Sequence, residues 1–178
     1  MAKGGVYGIS TVTLADCVAG SFPSAFNGYS FKAIVKDSVQ FNDSAASKND
    51  IEIEDSDNPY ASLPSSLATK GFTMDTYDLS AETYAALLGY TTSDNWNVEP
   101  VGTVNLVKAV QIVTKEYDKF PSKTFQWAKM DIAVTKAGTV GKSGFPNLHL
   151  EFKQLANMDD NGEEQPGARW ANTDALSA

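Results

Sequence analysis

With 178 residues, 42% of them apolar, and a net charge of −8, the chain is long enough to bury roughly 70% of its unfolded surface in one domain. A single cysteine, Cys17, excludes an internal disulfide scaffold, and one arginine, Arg169, against an excess of acid excludes a surface built to grip nucleic acid. No stretch approaches the ~18 continuous apolar residues of a membrane span, and MAKGGVYGIS has no apolar signal-peptide core, so a soluble protein folded in a cytosol is expected.

Near the N-terminus GVYGISTVTL is a short candidate strand, and Asn27-Gly28 is a strong turn pair. FKAIVKDSVQF then reads as one long antiparallel strand. Phe31, Ala33, Val35, Val39 and Phe41 share a face with Asp37, and Lys32, Lys36, Ser38 and Gln40 share the other with Ile34. From Asn42 to Lys70 the pattern breaks into NDSAASKND, a brief IEIE, and DSDNPYASLPSSLATK with Pro59 and Pro64. This is a long loop excursion around a short strand, a type of segment that is functional or disordered when it occurs in a compact domain. Tyr60, Leu63 and Leu67 argue against disorder and are expected to pack on the body or on a neighbour.

Thr69 to Tyr90 carries the strongest local signal. Phe72, Met74 and Thr76 alternate with Thr73, Asp75 and Tyr77, the period of a half-buried strand. A helix starts directly afterwards: Ser80 is a good N-cap, Glu82 places a carboxylate at the positive end of the dipole, and Gly89 suits a left-handed C-terminal cap. Tyr84, Leu87 and Leu88 form the stripe to be buried. TTSDNWNVEPVG reads as a connecting loop. TVNLVKAVQIVTKEYD, SKTFQWAKMDIAVTKAG and FPNLHLEFKQL are three long strands, separated by Phe120-Pro121-Ser122 and by Gly138 to Gly144, and consecutive antiparallel pairing is the economical topology. In the first of them Val104, Leu106, Val110 and Ile112 share a face interrupted by Lys108, while Val107, Ala109 and Val113 make the opposite face partly apolar. Such a sheet needs two partners, its own core and a neighbouring subunit. The tail from Ala156 is polar and expected to be irregular, with Trp170 as its one anchor, which divides the chain into a β domain over 1–155, with its loop at 42–70, and a tail over 156–178.

Catalytic signals are weak. His149, the only histidine, lies between Leu148 and Leu150 and points away from them as a surface or cross-strand residue, without a G-x-S-x-G elbow to support it. Cys17 is expected to have no cation in its surroundings to activate it as a nucleophile. Gly141-Lys142-Ser143 resembles the end of a P-loop, yet Lys136 stands where the first glycine belongs and no helix follows. Glu52, Glu54, Asp55 and Asp57, and Asp159-Asp160 with Glu163-Glu164, are acidic clusters without the spacing of an EF-hand and read as solvated loop acid. No Cys/His set for zinc exists, and Asn42-Asp43-Ser44 is a glycosylation sequon without a secretory signal. No metal and no cofactor are expected. Phe125, Trp127, Tyr117 and Phe120 suit core or subunit packing.

In order and character these elements resemble a bacteriophage major tail tube protein: FKAIVKDSVQF, then the polar IEIEDSDNPYASLPSSL, then TMDTYDLSAETYAALLG, then long antiparallel strands. The resemblance covers residues 5–155, and D-L-S-x-E-x-x-A-x-L-L-G at Asp78 to Gly89 is its most characteristic part. It implies a mainly β fold of two packed antiparallel sheets, a β-sandwich or barrel, flanked by one short α-helix and shared with the inner tube of type VI secretion systems. It also implies a protein without a catalytic site that forms homo-hexameric rings stacked into a tube, built in the bacterial host cytoplasm and carried in the virion tail. Partners would be tape-measure, terminator and baseplate or tip proteins, and DNA would transit the lumen without specific binding, as acidity suits. The excursion would bridge neighbours, which makes Asp55, Asp57, Tyr60, Leu63 and Leu67 the candidate subunit interface. A carbohydrate-binding or adhesin-like β-sandwich is the alternative, motivated by Trp96, Trp127 and Trp170, and a small hydrolase using His149 is a third reading.

Overall fold

The computed structural model describes residues 7–52, 54–55, 58–142 and 144–176. Its elements are β1 (Tyr7–Ala15), β2 (Gln40–Phe41), β3 (Lys48–Ile51), β4 (Ala61–Pro64), β5 (Gly71–Thr76), α1 (Ala81–Leu88), β6 (Thr91–Ser93), β7 (Trp96–Val98), β8 (Leu106–Lys115), β9 (Lys123–Gly141), β10 (Gly144–Gln154), β11 (Asn157–Met158), β12 (Glu164–Gln165) and β13 (Ala168–Asn172). The mainly β, antiparallel, sandwich or barrel-like class holds, with one flanking α-helix among the described residues. Its layers come from a single curled sheet in the order β1-β8-β9-β10-β5-β2, with β13 pairing β9. The three late strands form the expected meander.

Alternation puts the apolar set inside the curl. Phe72, Met74 and Thr76 of β5, Leu148, Leu150 and Phe152 of β10, Met130 and Ile132 of β9, and Leu106, Val110 and Ile112 of β8 are buried. Phe72 and Phe152 are cross-strand partners whose rings stack at 4.2 Å, with Trp127 5.2 Å from Phe72. Burying each phenylalanine contributes roughly 1.5–3 kcal/mol. Trp127 and Phe125 thus belong to the core cluster and its margin, as sequence reasoning expected.

FKAIVKDSVQF is not one strand. Ala33 and Asp37 have φ of 48° and 60°, left-handed conformations that turn the chain twice, so only Gln40–Phe41 at its end is regular strand. The reason is a division of labour between two partners. Residues ahead of the first corner pair with β1, where Leu14 N–H donates to Tyr29 O at 2.8 Å and Phe31 N–H to Val12 O at 2.9 Å. Residues after it pair with β5, where Tyr77 N–H donates to Ala33 O at 3.1 Å and Val35 N–H to Asp75 O at 2.9 Å, and β2 continues that ladder opposite Thr73 and Phe72. One bent strap therefore hydrogen-bonds both outer strands of the sheet and holds the curl shut. Gly28 serves the strap through close approach rather than as a turn: a Cβ there would stand 2.5 Å from Leu14 O.

A second local irregularity sets the shape of β9. Val110 opposes Trp127 and Lys108 opposes Met130, so β9 carries an extra residue, and Trp127 and Ala128 are buried in succession. At this bulge β9 changes its other neighbour, from β13 along Lys123 to Trp127 to β10 along Met130 to Gly141. The tail beyond Ala156 is correspondingly not irregular. β11 and β12 form a small hairpin and β13 joins the main sheet, because the first part of β9 would otherwise present an open edge. Trp170 does not bury in the body; it is exposed, with the Lys123 ammonium 4.9 Å from its ring centroid.

The strand-to-helix element forms as expected. Ser80 Oγ accepts from Thr83 N–H at 3.4 Å, and Gly89 closes α1 at φ 67° while Tyr90 N–H returns to Tyr84 O at 3.2 Å. Leu87 and Thr83 are buried, with Tyr84 and Leu88 half-buried. The Thr83 hydroxyl donates to Asp78 Oδ2 at 2.8 Å and accepts from Tyr29 Oη at 2.7 Å, so the helix is tied to the strap.

Candidate assembly surface

The excursion over 42–70 is a β arm. The ladder between β2 and β5 runs on past Gly71 through the paired Ser44 and Thr69 hydroxyls and a serine cluster, in which Ser47 Oγ lies 2.7 Å from both Ser65 and Ser66, into the β3–β4 hairpin. Extended pairing explains how the described part of this polar stretch takes strand structure without a core of its own. Its apolar side chains stay outside: Leu67 is 88% exposed, Tyr60 74% and Leu63 54%. Of the two alternatives for these residues, packing on the subunit's own body is therefore excluded. Asp55 lies exposed near the arm's end, Asp57 lies outside the described residues, and Ile53 of the expected IEIE strand does as well, β3 ending at Ile51.

Two further arms were missed by sequence reasoning. TTSDNWNVEPVG contains the β6–β7 hairpin, whose turn residues Asp94 and Asn95 take φ of 49° and 66°, a two-residue turn that the Asp-Asn pair signals. It presents Trp96, 76% exposed. The other arm is the far end of β9 and β10, which pair with each other beyond Ile132 and Leu148, where β8 and β5 stop. Val140 and Phe145 stand near its tip, 86% and 79% exposed. Lys136 at its base donates to Tyr90 Oη at 2.7 Å and lies over the Tyr84 and Tyr90 rings, which locks the arm to the helix. That hydroxyl contact holds the Lys136 ammonium above the ordinary lysine range. Beside it, a groove of about 450 Å³ runs between Leu87, Leu88, Pro100, Val104 and Val134, with Glu99 and Asp131 at its margin.

The residues weighed for chemistry are placed as structure. His149 Nδ1 lies 2.6 Å from Asp75 Oδ1, its cross-strand partner, and Nε2 lies 3.7 Å from Glu151 Oε1; Glu151 is thus a spatial neighbour as well as a sequence neighbour. Burial pushes the Cys17 thiol up, although Lys129 and Lys108 nearby pull it down, so the expectation of no cation in its surroundings is corrected while the thiol stays unactivated. Asp159 accepts from the backbone of Asn161 at 2.9 Å and of Glu163 at 2.8 Å and from Gln165 Nε2 at 3.1 Å, bonds that hold its carboxyl below the usual range and make this acidic cluster a turn. Among the described residues no group of His, Cys, Asp and Glu is arranged to hold a metal ion, and no helix is long and apolar enough to cross a membrane. Compared with known proteins, the chain matches no family model and no curated relative.

Proposed function

We propose that the protein is a structural subunit whose copies close into six-membered rings that stack as the tail tube of a bacteriophage, assembled in the host cytoplasm and carried in the virion. The observation that carries this reading is a core that is complete inside one chain while large apolar side chains stand exposed on projecting β arms, Tyr60, Leu63 and Leu67 foremost. Exposed apolar clusters of this kind mark surfaces that are covered by a partner. Tape-measure, terminator and baseplate or tip proteins would be met at the tube's ends. The role asks for no catalysis, and a net charge of −8 suits a conduit that passes DNA without holding it.

Of the three tryptophans that motivate the carbohydrate-binding alternative, Trp127 is buried among Phe41, Phe72 and Phe125. Trp170 pairs with Phe125, whereas Trp96 belongs to the hairpin next to Tyr90 and Lys136, on the order of 30 Å away along β9 at ~3.3 Å per residue. Native mass measurement with negative-stain imaging tests the proposal. Hexamers, rings or tubes are expected, and a protein that stays monomeric at high concentration with no polymer by either method would overturn it.

A further inference from the structure

The arms differ in charge as well as in position. The stretch 42–70 holds Asp43, Asp50, Glu52, Glu54, Asp55 and Asp57 against Lys48 and Lys70, whereas Ile132 to Leu150 holds Lys136, Lys142 and His149 and not one aspartate or glutamate. In a chain this acidic, an acid-free stretch with an exposed lysine at its tip is a distinct surface. Each arm also carries exposed apolar side chains, Tyr60, Leu63 and Leu67 on one and Val140 and Phe145 on the other. Among the described residues no strand pairs the outer edges of the β3–β4 hairpin, or those of β9 and β10 beyond Ile132 and Leu148.

Topology sends the two arms in opposite directions. The acidic arm continues the ladder past Gly71 at the start of β5, where Gly71 opposes Lys153. The basic arm leaves past the end of β5, where Thr76 opposes Leu148 and β10 runs back to Gly144. Within one molecule they point apart; in two copies placed end to end along the strand direction, the acidic arm of one faces the basic arm of the next. A contact between two different patches of the same chain is heterologous, and repetition of it builds a ring or an open stack.

We infer that the receptor for the β3–β4 arm is the β9–β10 tip of another copy, with the acids around Asp50, Glu52 and Glu54 meeting Lys142 and with Leu63, Leu67 and Tyr60 covering Val140 and Phe145. Charge selects the partner arm and fixes orientation, since acidic on acidic and basic on basic repel, and the apolar side chains supply the burial. The inference rests on the proposed assembly and names which surfaces of this chain meet in it.

Two variants test it by charge exchange. In one, Asp50, Glu52 and Glu54 become lysine; in the other, Val140→Glu and Lys142→Glu convert the basic tip to an acidic one. All five positions are exposed, so melting curves like that of the parent are expected. Alone, each variant presents two arms of like charge, and its assembly threshold should rise at least tenfold. Mixed one to one, every acidic arm finds a basic one and assemblies should reappear by sedimentation and imaging. As a second measurement, chains carrying Leu63→Cys are mixed with chains carrying Phe145→Cys, both in a Cys17→Ser background, and treated with a short bismaleimide. Cross-links between the two kinds of chain should exceed those within either kind. Variants that assemble alone like the parent, or a mixture that stays dispersed together with no excess of mixed cross-links, would overturn the pairing while leaving the assembly proposal intact. Failure of the parent chain to assemble would overturn the assembly proposal itself.

Discussion

Replacing both Leu63 and Leu67 with aspartate separates the fold from the assembly. Neither side chain is part of the core, so the free subunit should lose no more than about 0.5 kcal/mol, a melting shift of about 2 °C at this chain length. Burial in a partner has a different scale. Covering a leucine contributes roughly 1.5–3 kcal/mol; Leu67 has nearly its whole side chain to cover and Leu63 about half, which gives about 2–4 kcal/mol per contact. That corresponds to a loss of roughly thirtyfold to a thousandfold in association, before the cost of desolvating two carboxylates. Sedimentation velocity over a concentration series, with native mass measurement, reads the first effect, and a thermal melt reads the second. Unchanged assemblies would remove the arm from the interface. A melting temperature lowered by more than about 5 °C would refute the premise that the arm contributes nothing to the folded monomer.

The strap gives a backbone prediction: Ala33→Gly relieves a left-handed alanine and should leave stability unchanged or raise it by up to about 1 kcal/mol in urea, whereas Ala33→Val should lower it, and equal midpoints for the two would contradict the bent geometry. At Asp78, desolvation raises the carboxyl pKa, but hydrogen bonds from the Thr83 hydroxyl and from Ser80 outweigh it and leave the group below its usual range. A folded value below the unfolded one, about 3.9, contributes stability that is present above that pH and lost as pH falls through the folded value. Acid unfolding of Asp78→Asn should therefore be less steep below about pH 4, and superimposable acid profiles would argue against this network. Removing residues 166–178 strips β13 from Lys123 to Trp127 and should lower the melting temperature by several degrees, on the order of 2–4 °C per kcal/mol lost; an unaltered melt would return the tail to the irregular segment expected from its composition. Phe72→Ala sets the core benchmark at a cost of about 3–5 kcal/mol in chemical denaturation, and a loss below 1 kcal/mol would contradict the stacked pair with Phe152.

Local chemistry was the legible part of this sequence. Ser80 and Gly89 act within a turn of the residues they cap, and β5 alternates because one face meets the core, so both could be read without knowing any partner. The late strands carry enough apolar alternation to survive one bulge. FKAIVKDSVQF misled because its alternation serves two ladders on either side of a corner, and the corner is made by alanine and aspartate rather than by glycine. β13 was hidden for a different reason: ARWAN is almost wholly exposed, so it has no inward face to pattern, and only the open edge of β9 gives it a strand conformation. Of the site, Tyr60, Leu63 and Leu67 were visible as apolar residues in polar company, whereas Val140 and Phe145 lie beside the glycines of a turn and look like loop filler.

The strap also dictates when the molecule becomes safe during synthesis. It can engage β1 and β5 once Thr76 has been made, but Val12 must still await Ile112, and Phe72 of β5 must await Phe152, about 80 residues later. Long-range closure of this kind is slow, and until it is complete the nascent sheet presents bare strand edges. In the finished subunit the strap covers β1 and β5 while the arms stay exposed, so the chain passes from indiscriminate stickiness to selective stickiness as it folds.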